Sequence, residues 1–267
     1  MQADLARNES GRLARPLIAA LLCAATCAPL FAADKLTLCF ENKMVMPWRS
    51  TERVGLNFDM LKRVEAKAGV SFEYELLPWK RCLAKLKAND VDGAFSVSFS
   101  DERRQYGTFS RSGEADIQKR MHVSRYYLVR KKGSAASWDG KRFSNIDGKI
   151  AFQLGYSVAE LLHQLKMPVD ESNDSPYNMG RKVLTGRVAA AAMFDSDVDV
   201  LMNGPLASQL DVVPTALVEK PYYLLLSNAL VKARPELADQ IWKSVEDVRN
   251  GREYKKLVQA AGAEHIR

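Results

Sequence analysis

Residues 71–97 read SFEYELLPWKRCLAKLKANDVDGAFSV. From Ser71 to Leu77 apolar and polar residues alternate, with Phe72, Tyr74 and Leu76 on one face, the period of a strand. A helix follows from about Arg81 to Lys87, and Asp92 to Val97 is again a short strand. Upstream, Leu36 to Phe40 is a short apolar run, read as a buried strand. Phe58, Leu61, Val64 and Ala68 then recur at helical spacing, with Gly69 as the stop. The order is βαβαβ with short connections, which predicts a parallel sheet covered by helices.

The pattern recurs downstream. Lys149 to Gln153 is a strand. Ser157 opens a helix with Glu160 three residues on, a capping-box signature, and Leu161, Leu162 and Leu165 form its apolar stripe. Ser175-Pro176 starts another helix, with Gly186 as its stop. Val188 to Phe194 is an uninterrupted apolar strand, and Asp195 is placed to cap a further helix. Tyr222 to Ser227 is one more strand. Pro235 opens a long helix with Leu237, Ile241, Val245 and Val248 on one face, ending near Gly251. Two α/β halves result, with extended segments near 125–130 and 212–223 between them. If both segments cross over, residues 33–125 plus 219–267 form one lobe and 128–215 the other, with a cleft between. The expected fold is therefore α/β, two Rossmann-like lobes joined by two crossover strands. Ser134 to Asp139 reads as a surface loop.

The chain has 267 residues, 47% hydrophobic and 27% charged, enough apolar mass for a core. Fifteen Gly, ten Pro and four Cys exclude a fibrous, low-complexity or disulfide-dense chain. A formal charge of +7 raises nucleic acid, a membrane surface or an anionic ligand as partners without choosing among them. Arg7, Arg12 and Arg15 precede an uncharged stretch from Pro16 to Ala33. Its apolar centre, Leu17 to Ala28, has the length of a signal-peptide h-region and is short for a membrane span. Residues 1–32 are therefore expected to be a secretory signal, cleaved near Ala32 or Ala33. The alternatives are an uncleaved anchor and a lipid-modified Cys27. Cleavage removes three Arg against one Asp and one Glu, leaving +6, and removes Cys23 and Cys27. The mature protein is expected to be exported and periplasmic, with Cys39 and Cys82 in a compartment that permits disulfides.

In open parallel sheets, ligands bind outside the carboxyl ends of the strands. Those ends carry Glu41 and Asn42, Ser96 and Ser98, Gly155, Tyr156 and Ser157, and Asp195, with Arg103 close behind Ser98. Arg103 can hold a carboxylate through two parallel hydrogen bonds, and backbone N–H groups near Ser157 can meet the same anion. Glu41 and Asp195 can accept from an ammonium. This set suits a zwitterion such as an amino acid. Each residue also has a plainer reading: Ser157 and Asp195 as helix caps, Arg103 in a solvated Asp101-Glu102-Arg103-Arg104 turn, and Trp79 in the core.

The order of these motifs resembles the family 3 extracellular solute-binding proteins, the receptors of polar amino-acid ABC importers, over nearly all of residues 34–262. Gly55-Leu56-Asn57-Phe58-Asp59 is similar to an early Gly-x-Asp-x-Asp signature, with Asn57 where an acid is usual. Lys87-Ala88-Asn89-Asp90-Val91-Asp92 followed by Ser98-Phe99-Ser100-Asp101-Glu102-Arg103 is the most specific stretch, and Phe109-Ser110 also fits. Gln153-Leu154-Gly155-Tyr156-Ser157 resembles the second-lobe carboxylate turn. The resemblance implies a periplasmic binding protein type II fold, a monomer closing on a small carboxylate ligand and delivering it to an inner-membrane ABC permease. It implies that Arg103 binds the α-carboxylate, that Ser96 and Ser98 add hydrogen bonds, and that Trp79 packs on the ligand side chain. The amine-binding acid falls one residue late, at Asp195, which leaves Phe194 as the alternative occupant of its position; Glu41 and Asn42 compete likewise for the first-strand acid. Arg81 adds a cation near the cleft, so a dicarboxylate is a further ligand class. Cys39 and Cys82 lie at neighbouring element ends, where a disulfide or two free thiols would fit.

A second class of function is an enzyme on the same scaffold, similar to periplasmic cyclohexadienyl dehydratases, with Asp195 or Glu41 as its acid; a third is a signalling receptor. No catalytic residue is assigned. His122, His163 and His265 lie in no catalytic order, and no Cys/His cluster or Gly-rich phosphate loop indicates a metal or cofactor. Nucleic acid is not expected as a partner, because the basic charge is spread out and export removes the usual target.

Overall fold

The computed structural model describes residues 34–172 and 174–263. The expected signal segment, Cys23, Cys27 and His265 lie outside the described residues. The elements run β1 (Asp34–Glu41), α1 (Leu56–Ala68), β2 (Val70–Leu77), α2 (Trp79–Ala88), β3 (Gly93–Ser98), β4 (His122–Lys131), β5 (Ser137–Trp138) and β6 (Phe143–Ser144). They continue as β7 (Ile150–Gln153), α3 (Val158–Gln164), β8 (Val169–Ser172), α4 (Pro176–Leu184), β9 (Ala190–Phe194), α5 (Asp195–Met202), β10 (Leu210–Val212), β11 (Val218–Leu226), α6 (Asn228–Ala233), α7 (Pro235–Asn250) and α8 (Arg252–Ala260).

One curled sheet carries the strand order β2-β1-β3-β11-β4-β9-β7-β8, with β10 alongside β4. The strands β2, β1 and β3 pair in parallel, as do β8, β7 and β9. The middle is antiparallel: β3 against β11, β11 against β4, and β4 against β9. The two extended crossover segments thus lie side by side at the centre of the sheet. Each parallel half places its strand ends, and the turns that follow them, toward the site described below.

Local chemistry accounts for the elements. Helix α1 buries Leu56, Phe58, Met60, Leu61, Val64 and Ala68, and Gly69 ends it in the left-handed region at φ 67° while donating its N–H to Glu65. Phe40, Phe58, Tyr74 and Phe95 meet largely edge-to-face beneath it, with ring centroids 5.1–6.4 Å apart. Strand β3 departs from period two. Ala94 and Val97, three residues apart, pack in one cluster under α2, whereas Phe95 packs on the α1 side. The pairing with β11 shifts register there, and Ser96 takes φ 60°. This irregularity re-aims the end of β3. Cys39 and Cys82 are joined by a disulfide between β1 and α2.

Three local readings change. Ser134 to Asp139 is not simply a loop: β5 and β6 pair there, and Trp138 is buried with its Nε1 donating to Ala216 O at 3.0 Å. Ser157 does not cap α3. Its φ/ψ of −73°/−5° are not the extended values of a capping residue, and its side chain accepts no cap hydrogen bond. Glu160 instead pairs with Lys220 at 2.7 Å. Phe194 occupies the cap position of α5, and Asp195 is its first helical residue. Among the described residues, no helix is long and apolar enough to cross a membrane.

Candidate functional site

Where the strand ends of the two halves meet, a small cavity is lined by Glu41, Val45, Arg49, Trp79, Ser96, Ser98, Arg103, Tyr126, Tyr156, Phe194 and Tyr222. Its free space is about 20 Å³ for water centres, room for one water or two. Arg103 and Tyr156 also border a groove of about 600 Å³ that runs past Lys80, Gly155, Ser157 and Glu171.

Arg103 follows β3 in a short 3-10 turn, Asp101–Gln105. Its neighbours Asp101, Glu102 and Arg104 are exposed, as a charged turn predicts, but Arg103 is only 6% exposed. Its Nη1 donates to Ser98 O at 3.0 Å and to Ser98 Oγ. Its Nη2 reaches across to Gly155 O at 3.0 Å, and the guanidinium lies 5.6 Å from the Trp79 ring centroid. The Ser98 hydroxyl donates to Ser157 Oγ at 2.8 Å. All three acceptors of Arg103 are neutral. No carboxylate among the described residues forms an ion pair with it.

Glu41, 4% exposed at the end of β1, has the opposite situation. Its Oε2 accepts from Arg49 Nη2 at 2.7 Å and from the Tyr156 hydroxyl at 2.9 Å. Arg49 Nη1 additionally donates to Glu41 O and Lys43 O at 3.0 and 2.7 Å. Glu41 is therefore already charge-paired. Tyr126 and Tyr222 bring their hydroxyls within 3.3 Å at the centre of the sheet. Burial pushes the Tyr126 phenol up to about 12 and holds those of Tyr156 and Tyr222 well above 10, so all three are neutral hydrogen-bonding groups. Asp197, in the first turn of α5, is half-buried, and its carboxyl is pushed up to about 7, chiefly by burial and further by Glu41 and Asp195, against Lys43 and Arg49.

The structure thus brings together Arg103, Ser96, Ser98, Trp79, Tyr156 and Glu41 around one cavity, with Gly155 and Ser157 in direct contact with its Arg103–Ser98 pair. Three sequence candidates are elsewhere. Asn42 is exposed, with its backbone N–H on Leu77 O. Arg81 is exposed on α2 and borders neither space, because one helical step turns it away from Lys80, which faces Glu171 at 3.7 Å. Asp195 accepts from the N–H groups of Arg125 and Ser196 and borders a different cavity with Met46, Pro47 and Arg125. Phe194 stands in the central cavity instead. Sequence reasoning missed Arg49, Tyr126, Tyr222 and Asp197. Tyr126 and Tyr222 lay inside the two crossover segments, which was the available signal; Arg49 sits in an aperiodic loop and gave none. No group of three His, Cys, Asp or Glu side chains among the described residues could hold a metal ion.

A two-lobed, curled α/β sheet with polar side chains gathered at the strand ends defines the class: this is the periplasmic binding protein type II architecture of ligand-binding receptors. The chain belongs to the bacterial extracellular solute-binding proteins, family 3, whose model matches residues 40–262. Comparison with curated protein sequences finds no match. Among solved structures, the GluR0 ligand-binding core from Nostoc punctiforme in complex with L-glutamate is 16% identical. It covers 85% of this chain and 99% of its own, at a TM-score of 0.66. The arginine-, lysine-, histidine-binding protein ArtJ from Geobacillus stearothermophilus is 18% identical, covering 85% and 94%, at 0.66. A histidine kinase sensor domain with similarity to periplasmic binding proteins is 13% identical, covering 88% and 98%, at 0.70. At these identities the likeness shows the fold.

Proposed function

We propose that the protein is a periplasmic receptor that closes two lobes, 33–125 with 219–267 and 128–215, on a small carboxylate-bearing solute and delivers it to an inner-membrane ABC permease. Amino acids are the first ligand class to test. The observation that carries this reading is Arg103, a buried guanidinium with neutral partners only. A buried charge without a counter-charge is costly, and an incoming carboxylate would relieve it through two parallel hydrogen bonds. Its contacts with Gly155 O and the Ser98–Ser157 hydroxyl pair tie the two lobes directly. A ligand carboxylate entering between Arg103, Ser98 and Ser157 would take over those ties. Trp79, Tyr126, Tyr156, Phe194 and Tyr222 supply an aromatic enclosure for the rest of the solute. Glu41 is engaged with Arg49, so recognition of the carboxylate is the stronger half of the site and the amine the weaker. The same engagement disfavours Glu41 as the acid of a dehydratase-like enzyme.

The test is a thermal-shift screen of amino acids and small mono- and dicarboxylates. At least one is expected to raise the melting temperature, and Arg103→Ala should abolish that rise. A ligand that stabilises the Arg103→Ala protein as strongly as the wild type removes Arg103 from the site. No stabilisation by any amino or carboxylic acid would overturn the reading.

A further inference from the structure

A second cavity, of about 130 Å³, lies in the half of the molecule built from β1–β3 and α7–α8. Its walls come from Trp48, Arg120, Met121 and His122 ahead of and at the start of β4, from Arg249 and Asn250 at the end of α7, and from Tyr254, Lys255 and Val258 in α8. The lining includes three cations and no Asp or Glu. Arg120 Nη1 and Arg249 Nη1 both donate to one acceptor, Ile117 O, at 2.7 and 3.3 Å, so the two guanidinium groups converge rather than splay into solvent. Like charges placed this close raise each other's energy. Burial, with Arg120 as the next contributor, lowers the Arg249 pKa. The carboxylates that act on Arg249 from further off, Glu246 and Asp116, pair with Lys243 and Lys119. Arg120, Arg249 and Lys255 form no ion pair among the described residues.

The lining residues Trp48 and His122 carry unmet hydrogen-bonding capacity. Trp48 is 2% exposed, and its Nε1 has no partner among the described residues; the same is true of both ring nitrogens of His122, 3% exposed. Burial keeps the His122 imidazole neutral, so one of its nitrogens is a donor. Buried polar groups are nearly always paired. Two forked guanidinium groups and an ammonium together make a cationic donor set that no carboxylate of the lining answers. A volume of about 130 Å³, several times that of the central cavity, has room for one tetrahedral or planar oxyanion and its hydration.

We propose that this cavity is a second binding site, distinct from the cavity around Arg103, for a small oxyanion: inorganic phosphate, sulfate or a short carboxylate. His122 is stacked between Trp48 (centroids 4.0 Å apart) and Tyr222 (5.0 Å apart), and Tyr222 lines the central cavity, so the two sites share one stack of rings.

Isothermal titration calorimetry of the purified protein with phosphate, sulfate and acetate at low ionic strength tests this. Binding of at least one anion is expected, weakening steeply with added sodium chloride. Arg249→Ala and Arg120→Gln should each weaken it at least tenfold, and Arg103→Ala should change it less than twofold. Lys255→Ala, at an exposed position that leaves the fold intact, should weaken it about threefold and keeps the test valid if Arg249→Ala fails to fold. Titration of the three anions separates phosphate and sulfate from carboxylate as the source of the oxyanion. Absence of binding by all three, equal binding in Arg120→Gln and Lys255→Ala, or binding that disappears in Arg103→Ala would each overturn the proposal. Because Arg103→Ala is the control, this outcome is independent of the solute-receptor reading.

Discussion

Replacing Glu41 by Ala leaves the Arg49 guanidinium buried without its counter-charge. Both side chains are nearly inaccessible, 5% and 6% exposed, and meet at 2.7 Å. Removing one partner of a buried ion pair typically costs about 3–5 kcal/mol, because the remaining charge is desolvated and unpaired. The Tyr156 hydroxyl loses its acceptor as well, at 2.9 Å in the native protein. For a protein of this size about 2–4 °C accompanies each kcal/mol, so Glu41→Ala should lower the melting temperature by about 6–20 °C. The double variant Glu41→Ala/Arg49→Met removes both charges and should be no less stable than Glu41→Ala alone. It will not recover fully, since Arg49 also serves the carbonyls of Glu41 and Lys43. Urea unfolding of the four proteins in the cycle measures this. A loss below about 1 kcal/mol for Glu41→Ala, or losses that add in the double variant, would refute the assignment of Glu41 to a structural ion pair.

Cys39 and Cys82 close a loop 43 residues apart in sequence, so Cys39→Ala/Cys82→Ala should lose about 3–4 kcal/mol in urea unfolding. Asp197, with a carboxyl pushed up to about 7 against an ordinary value near 3.8, holds its proton in the folded state where the unfolded chain has lost it. Its contribution is therefore full below pH 4 and is lost as pH rises toward and through 7; Asp197→Asn should flatten stability over that window, as pH-dependent melting curves would show. Trp138→Ala should cost about 3–5 kcal/mol, a loss that a mere surface loop would not produce.

The βαβαβ units were legible because burial on one face imprints a period: Leu237, Ile241, Val245 and Val248 in α7 carry it directly, whereas in β2 Phe72 is buried, Tyr74 is half-buried and Leu76, expected on the same face, is 41% exposed. The clustering of Arg103, Ser98, Tyr156 and Glu41 was legible because parallel strands deliver their ends to one side. What sequence left out was set by single contacts that no periodicity reports. Arg49 finds Glu41 from a loop with no period. Ser157 has the residues of a capping box, yet its hydroxyl is taken by Ser98, 59 positions away. Asp195 and Phe194 differ by one place, and one place decides which faces the cavity. In β5 the single large apolar residue Trp138 was the trace of a hairpin anchored by that one buried ring, too short for any periodicity to reveal.

Gly155 contacts the facing half through its backbone alone. Its φ is +77°, and a Cβ there would lie 3.3 Å from Trp79 Cδ1 and 3.4 Å from Lys80 Cγ and Cε. Any residue larger than glycine would act as a wedge, strained in its own backbone and propping the two faces a few tenths of an ångström apart. In the proposed closing of the two lobes, the resting balance between open and shut molecules would be governed at a point that offers a solute only a carbonyl already engaged by Arg103. Affinity at such a receptor is adjustable without altering any group that recognises the solute, by changing how readily the empty jaws meet.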